Sequence, residues 1–157
     1  MCGIAGIFNQ HINQDELKTA AKKMALAISH RGPDDYGLWC DETSSLAISH
    51  QRLAIIDLTE AGHQPMVSNS SRYVIAFNGE IYNHLELRNQ LKEQGYFPKW
   101  KGHSDTETLL TLIELYGLKK ALLKTVGMFA IALWDRKERR LQLARDRFGE
   151  KPLYYGF

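Results

Sequence analysis

The chain has 157 residues, of which 44% are hydrophobic and 24% are charged, and its formal net charge is +2 at pH 7. This length suits one domain, and the composition excludes a disordered, collagen-like or disulfide-rich protein. The weak positive charge, the lack of an apolar run near the roughly 18 residues that span a bilayer, and only two cysteines lead us to expect a cytoplasmic protein that binds neither nucleic acid nor membrane.

The first half of the chain predicts a strand, a helix and several short strands. Small and apolar residues alternate over residues 3–9, and apolar residues recur with helical spacing over residues 13–28. The pair Gly32-Pro33 lies in the segment that breaks this helix. Further strands are predicted over residues 36–40, 45–49 and 53–56, followed by a loop over residues 59–72.

The second half predicts a hairpin and two helices before a final group of strands. Asn78-Gly79 separates strand patterns at 73–77 and 80–82, a strong signal for a tight turn. Asn83 and Ser104 each have a glutamate three residues later, which predicts a capping box at two helix starts. The remaining predicted elements are a helical piece at 121–124, a hairpin of strands 128–134 and 141–144, and a strand at 153–155. Without regular βαβ alternation, the order favours an α+β fold.

Cys2 is the most informative candidate for catalysis, because it follows the initiator methionine. Methionine aminopeptidase removes Met1 efficiently when the next residue is small, which would leave Cys2 with a thiol and a free α-amine. The thiol is a strong nucleophile, and an α-amine exchanges protons near neutral pH, so one residue would supply both nucleophile and base. The alternative is that Cys2 is simply a small buried residue.

Asn78 and Gly79 are candidates for an oxyanion hole. A tight turn would expose the Gly79 N–H beside the Asn78 amide, and two such donors stabilise the oxyanion that forms when a nucleophile attacks a carbonyl. The alternative is that these residues only form a turn.

Three charged residues are candidates for binding an amino acid. Arg52 precedes an apolar segment and could bind a carboxylate with two hydrogen bonds, while Glu80 and Asp105 could bind an ammonium group. The alternatives are a surface ion pair for Arg52 and a favourable helix-dipole position for Asp105. The six histidines show no spacing typical of metal ligands, so no metal site is predicted.

Seven motifs together resemble one enzyme family. They are MCGI (1–4), HRGPD (30–34), HQRLAIID (50–57), GHQPM (62–66), FNGEIYN (77–83), GHSDTE (102–107) and ARDRFG (144–149). In this order they resemble the N-terminal glutaminase domain of glutamine-hydrolysing asparagine synthetases. These enzymes are class II amidotransferases of the N-terminal nucleophile (Ntn) hydrolase superfamily.

The resemblance implies a role for each candidate. Cys2 would be the nucleophile, and Asn78 with Gly79 the oxyanion hole. The implied glutamine-binding set is Arg52, Leu53, Ala54, Ile55, Ile56, Asn78, Gly79, Glu80 and Asp105, with Arg52 taking the α-carboxylate. The segment from 57 to 66 resembles the loop that closes over glutamine.

The resemblance also implies a fold and partners. The fold would be a four-layer αββα sandwich of two stacked antiparallel sheets, formed by residues 2–157 and lacking its last strands. This domain would need no cofactor, whereas the synthetase domain of the full-length chain, absent here, would use ATP and Mg. L-glutamine would be the substrate, and a homodimer is a candidate assembly.

The acceptor of the ammonia stays open at this point. The ammonia would feed an ATP-dependent synthesis of asparagine from aspartate, or the amidation of a sugar or other carboxylate in polysaccharide or natural-product biosynthesis. A third alternative is a catalytically silent regulatory or binding module with the same fold. A general Ntn hydrolase acting on another amide is less favoured, because Arg52, Glu80 and Asp105 together match a free amino acid.

Overall fold

The computed structural model of the chain describes residues 1–156. The strands are β1 (Gly3–Phe8), β2 (Asp35–Asp41), β3 (Leu46–Arg52), β4 (Met66–Val67), β5 (Tyr73–Ile81), β6 (Gly127–Asp135) and β7 (Arg140–Arg145). The helices are α1 (Gln14–Ala27), α2 (His84–Glu93), α3 (Asp105–Tyr116) and α4 (Leu118–Lys124), with short 3₁₀ helices at Ser29–Arg31 and Glu60–Gly62. None of the helices in this range has the length and apolar character needed to cross a membrane.

The strands form two antiparallel sheets that pack face to face. The first sheet has the order β1-β3-β2 and the second the order β4-β5-β6-β7. Helix α1 packs on the outer face of the first sheet, and α2, α3 and α4 cover the outer face of the second. The predicted α+β class and four-layer αββα sandwich are confirmed.

Strand alternation decides which side chains lie between the sheets. Phe77 belongs to the core shared with the outer helices, whereas Val74 and Ala76 pack on Ile48 of the first sheet. Successive side chains of a strand point to opposite faces. Asn78 has the parity of Val74 and Ala76, so its side chain faces the first sheet.

The same alternation places Cys2 and Arg52 on the inner face of the first sheet. Ile4 on β1 packs in the core between the sheets, and Cys2 has its parity. The antiparallel register pairs Gly3 with Gln51, so Cys2 lies beside Arg52 at the end of β3. Local strand geometry therefore brings the first residues of the chain to the inner surface that faces Asn78.

A buried hydrogen bond joins the two sheets close to this point. The Nε2 atom of His50 on β3 lies 3.0 Å from the carbonyl oxygen of Phe77 on β5. His50 is completely buried. The bond sets the end of β3 against the Asn78-Gly79 segment of β5.

The predicted turn at Asn78-Gly79 is wrong, because both residues lie inside the continuous strand β5. Gly79 pairs with Phe129 of β6 in a nine-residue ladder, which outweighs the local turn signal. A Cβ atom on Gly79 would lie only 2.2 Å from the Met128 carbonyl oxygen and 2.7 Å from Phe129 Cα. The glycine therefore serves close strand packing.

Two further strand predictions are wrong. The predicted strand at 53–56 is a loop, since β3 already includes 46–52, and Ile55 is 69% exposed. Most of the apolar side chains of this segment line a cavity at the surface and do not belong to a buried strand. Residues 153–155 contain no strand either, although their pattern is apolar.

The predicted helix caps are partly correct. Ser104 accepts a hydrogen bond from the Thr106 N–H, but Glu107 accepts from the N–H groups of Lys101 and Gly102 instead of closing a capping box. The Asn83 side chain instead accepts from the Val126 N–H and donates to the Lys124 carbonyl, and so joins α2 to the start of β6.

The buried His50 predicts a loss of stability in mild acid. Burial lowers the pKa of His50 from 6.5 to about 4. The unfolded chain takes up the proton first, so the stabilisation is complete above about pH 6.5 and disappears as the pH falls towards 4, on the order of 3 kcal/mol in all. Urea unfolding between pH 7 and 4 should show this decline in the native chain. The free energy of unfolding should depend less steeply on pH for His50→Gln. Equal slopes for the two proteins would contradict the role of His50 in the acid destabilisation.

Candidate active site

A small cavity opens where the end of β3 faces the middle of β5. Its volume is about 120 Å³, well below the roughly 300–1,000 Å³ of drug-sized ligand sites. Of the residues singled out in the sequence, the cavity is lined by Cys2, Arg52, Leu53, Ile55, Ile56, Asn78, Gly79, Glu80 and Asp105. The fold thus gathers residues from four separate motifs in a space suited to an amino acid.

Ala54 is the predicted binding residue that lies outside the cavity wall. Its N–H donates to Asp34 Oδ2 at 2.8 Å, and the residue borders a neighbouring depression. A contact between glutamine and the backbone of Ala54 therefore has no support in this geometry.

Cys2 is held in position by its neighbours across the first sheet. Its Sγ accepts a hydrogen bond from the Leu53 N–H at 3.4 Å and lies 3.7 Å from the Leu53 carbonyl oxygen. The Arg31 Nε donates to the Cys2 carbonyl at 2.9 Å. These contacts hold both the sulfur and the backbone of the residue at the cavity.

The Gly79 N–H is a backbone donor left unpaired at the cavity. N–H groups alternate in direction along a strand, so those of Phe77, Gly79 and Ile81 all point away from β6. The first donates to Gln64 Oε1 at 2.7 Å and the last to Asp105 Oδ2 at 2.8 Å. Between them, the Gly79 N–H has no acceptor among residues 1–156.

The Asn78 side chain is also unpaired. Asn78 is only 5% exposed, and its amide makes no hydrogen bond within the described part of the chain. The Asn78 amide and the Gly79 N–H are therefore two adjacent donors available to a bound ligand.

Asp105 provides a buried carboxylate at the start of α3. Its Oδ2 accepts from the Ile81 N–H and its Oδ1 from the Thr106 N–H, both at 2.8 Å. Burial raises the pKa of Asp105, although these two backbone bonds oppose the rise. The ionised carboxylate is thus poorly solvated, and a cationic ligand would stabilise it.

Arg52 also lines the cavity and is 8% exposed. Its guanidinium donates to the Thr59 carbonyl at 3.0 Å and to the Asp57 carbonyl, and Nη1 lies 3.9 Å from Asp35 Oδ2. Two of its five N–H donors are thereby used, and the other three make no hydrogen bond within residues 1–156.

Several residues of the cavity wall have no role predicted from the sequence. The full set of additional lining residues is Met1, Asp57, Gly62, Gln64, Phe77, Ser104, Thr106, Met128 and Lys151. Gln64 buries its amide between the Phe77 N–H and Thr106 Oγ1. The motif GHQPM contains this glutamine, but only the fold shows that it supports β5 beside Asn78.

Met1 lies at the cavity next to a buried lysine. The Nζ atom of Lys151 is 3.2 Å from Met1 Sδ. Asp146 places this lysine by accepting hydrogen bonds from the N–H groups of Lys151, Glu150 and Phe129. Removal of Met1 would therefore enlarge the space around Cys2.

Within residues 1–156, no group of three or more His, Cys, Asp or Glu side chains is arranged to hold a metal ion. The cavity instead combines a thiol, two unpaired N–H donors, a guanidinium and the carboxylates of Asp57, Glu80 and Asp105. These groups suit attack of a nucleophile on an amide carbonyl of a small zwitterion. Fold and site together are those of a class II amidotransferase domain.

Comparison with known proteins agrees with this class. The family model of the glutamine amidotransferase domain matches residues 1–157. The chain belongs to this glutamine amidotransferase domain family.

Similar curated proteins include asparagine synthetases. The chain is 44% identical over 160 residues to glutamine-hydrolysing asparagine synthetase 1 of Bacillus subtilis, covering 99% of this chain and 24% of that protein. It is 37% identical over 157 residues to asparagine synthetase B of Escherichia coli, covering 100% of this chain and 27% of the relative. The chain thus spans about a quarter of the length of these relatives.

A solved structure supports the fold. The glutamine phosphoribosylpyrophosphate amidotransferase of B. subtilis superposes with a TM-score of 0.63 at 24% identity, over 85% of this chain and 35% of that one. At this identity the similarity supports the fold alone, and it confirms the Ntn-hydrolase architecture.

Substitution of the two adjacent donor residues should affect stability to different extents. Asn78→Ala removes an amide without a protein partner, so we expect the melting temperature to stay within a few degrees of the native value. Gly79→Ala places a Cβ 2.2 Å from the Met128 carbonyl, and we expect a loss of about 1–3 kcal/mol, typical of overpacking. Thermal unfolding of the two variants measures both. A large loss for Asn78→Ala would mean that Asn78 supports the fold.

Proposed function

We propose that this domain hydrolyses L-glutamine to glutamate and ammonia, with Cys2 as an N-terminal nucleophile. The observation that carries this proposal is the pair of unpaired donors, the Asn78 amide and the Gly79 N–H, in the same cavity as Cys2 Sγ. Both donors belong to β5 of the second sheet, which faces the end of the first sheet where Cys2 lies. An amide carbonyl bound there would meet a nucleophile and an oxyanion hole together.

In the first step the thiol forms a bond to the side-chain amide carbon of glutamine. With Met1 removed, the α-amine of Cys2 takes the thiol proton as the sulfur attacks. The C=O electron pair moves to oxygen, and this oxyanion accepts hydrogen bonds from Asn78 and Gly79. The C–N bond then breaks, the nitrogen takes the proton from the α-ammonium, and ammonia leaves a glutamyl thioester on Cys2.

In the second step water hydrolyses the thioester. The α-amine accepts a proton from the attacking water, and the same two donors hold the second oxyanion. The C–S bond breaks, the thiolate recovers the proton, and glutamate leaves. One residue therefore serves as base and acid in both halves of the reaction.

The charges around the cavity match the two ends of a free amino acid. Arg52 binds the α-carboxylate through its remaining N–H donors, and Glu80 with Asp105 binds the α-ammonium. Burial raises the pKa of Asp105, so a bound ammonium offsets the cost of keeping this carboxylate ionised. Leu53, Ile55 and Ile56 line the cavity between these charges.

We also propose that the ammonia is used by a synthetase domain of a longer chain. The similar proteins named asparagine synthetase are about four times as long as this chain. In that setting an ATP- and Mg-dependent domain would amidate aspartate. A relative named amidase chry2, from Gibberella zeae, is 35% identical over 164 residues, which keeps a different acceptor as the second candidate.

The two free cysteines provide a matched test of the nucleophile. Cys2→Ala should abolish ammonia release from glutamine, because no other thiol lines the cavity within residues 1–156. Cys40→Ala should retain activity within about twofold, since Cys40 lies on β2 away from the cavity. Glutamine hydrolysis by the Cys2 variant at the native rate would contradict the proposed chemistry.

Asp105 distinguishes a glutaminase from a general amidase. Asp105→Asn should weaken the binding of glutamine about tenfold or more, because a hydrogen bond to a charged group is worth roughly 1.5–3 kcal/mol. The same change should matter much less for the analogue that lacks the α-amine. Equilibrium binding of both ligands to Met1-free protein measures the difference. Equal losses for the two ligands would show that Asp105 acts only at the helix terminus.

A further inference from the structure

The buried Asp57 carboxylate joins two segments of the cavity wall. Its Oδ1 accepts hydrogen bonds from the N–H and the Oγ1 of Thr59, at 2.9 and 2.6 Å. Its Oδ2 accepts from the His103 N–H at 2.8 Å. The bonds from Thr59 contribute most to lowering the pKa of Asp57 to about 2, so this residue is a carboxylate throughout the neutral range.

The backbone carbonyls of Asp57 and Thr59 hold the Arg52 guanidinium. Nη1 of Arg52 donates to the Thr59 carbonyl at 3.0 Å, and Nη2 donates to the Asp57 carbonyl. The loop from 57 to 62 therefore wraps around the guanidinium, and the Asp57 side chain fixes the fold of that loop through Thr59.

Two glycines make the arrangement tight. A Cβ on Gly62 would lie 2.0 Å from Nη2 of Arg52, and a Cβ on Gly102 would lie 2.3 Å from Asp57 Oδ2. The loop thus packs directly on the guanidinium, and the segment before α3 packs directly on the carboxylate. There is little free space for either group to move.

We propose that Asp57 is a positioning residue for substrate recognition, which sets the orientation of Arg52 and its spacing from Asp105. This inference rests on the proposed function, in which Arg52 binds the α-carboxylate and Asp105 the α-ammonium of glutamine. Both groups of the substrate are attached to one carbon atom, so their two binding residues need a constant separation. Asp57 links the two binding residues. Its carboxylate accepts hydrogen bonds from Thr59, in the loop that contacts Arg52, and from the N–H of His103, two residues before Asp105.

The substitution Asp57→Asn tests the link with little change of shape. An amide has one oxygen, so its NH₂ group faces either the donors of Thr59 or the His103 N–H, and one bond is lost. We expect KM for glutamine to rise about tenfold, within the range for one hydrogen bond to a charged group, while kcat changes less than about twofold.

A substrate without the α-carboxylate separates positioning from general structural damage. 4-Aminobutanamide has the amide and ammonium groups of glutamine but no carboxylate. Asp57→Asn should leave kcat/KM for this compound within about twofold of the native value, because Arg52 has no group to bind. An equal loss of kcat/KM for both substrates would overturn the inference.

Asp135 offers a matched control for loss of a buried aspartate. It is 1% exposed, and it accepts hydrogen bonds from Nε and Nη2 of Arg72 at 3.0 and 2.7 Å, with no part in the cavity. Asp135→Asn should lower the melting temperature but leave the ratio of kcat/KM values for the two substrates unchanged. A changed ratio in this control would show that substrate discrimination responds to stability alone and would overturn the inference.

Arg52→Lys distinguishes failure of this inference from failure of the proposed function. A lysine cannot form the paired hydrogen bonds of a guanidinium, so discrimination in favour of glutamine should decrease. Unchanged discrimination in Arg52→Lys would contradict the role of Arg52 itself. Reduced discrimination in Arg52→Lys with native discrimination in Asp57→Asn would contradict only the role of Asp57.

A second variant covers the case in which Asp57→Asn does not fold. Thr59→Val keeps the size of the side chain but removes the 2.6 Å bond from Oγ1 to the carboxylate. It should raise KM for glutamine in the same direction by a smaller factor, with no effect on 4-aminobutanamide. Native discrimination in Thr59→Val would then overturn the inference.

Discussion

The stacking of the two sheets is the constraint on which the site depends. Neither sheet holds a complete site, because Cys2 and Arg52 belong to the first, while Asn78, Gly79 and Glu80 lie on β5 of the second. Apolar side chains such as Ile48, Val74 and Trp134 pack between the sheets, and the His50 ring, 3.0 Å from the Phe77 carbonyl, fixes the relative position of the central strands. The contact satisfies Nε2 of the ring, whereas Nδ1 is buried without a partner, so this polar group has a cost in stability but gives the interface one defined register.

The cavity contains polar groups that the folded chain leaves without hydrogen-bond partners or poorly solvated. The Asn78 amide and the Gly79 N–H are unpaired, and Asp105 is desolvated. The backbone donors on either side of Gly79 along this side of β5 have acceptors, since Phe77 donates to Gln64 Oε1 and Ile81 donates to Asp105 Oδ2. Unpaired donors beside a poorly solvated carboxylate are typical of a site prepared for a ligand, whose own oxygen and ammonium complete the missing interactions.

Sequence patterns predicted the fold class, α1, α3 and the final hairpin, because these elements follow hydrophobic periodicity or strong caps. They failed at Asn78-Gly79, where pairing with β6 outweighs a local turn signal, and at 53–56, where an apolar run lines a cavity. The motifs also predicted nine site residues that the structure gathers in one cavity. The supporting contacts of Asp57 and Gln64 could not be predicted, because each joins segments that only tertiary packing brings together.

The most direct measurement of the central claim is mass spectrometry of acid-quenched protein during turnover of glutamine. Protein lacking Met1 should carry one glutamyl group, and peptide mapping should place it on Cys2, because the thioester is the intermediate common to both half-reactions. Protein that retains Met1 should carry none, since its Cys2 has no free amine. A glutamyl group on another residue, or rapid ammonia release by protein that retains Met1, would contradict catalysis by an N-terminal cysteine.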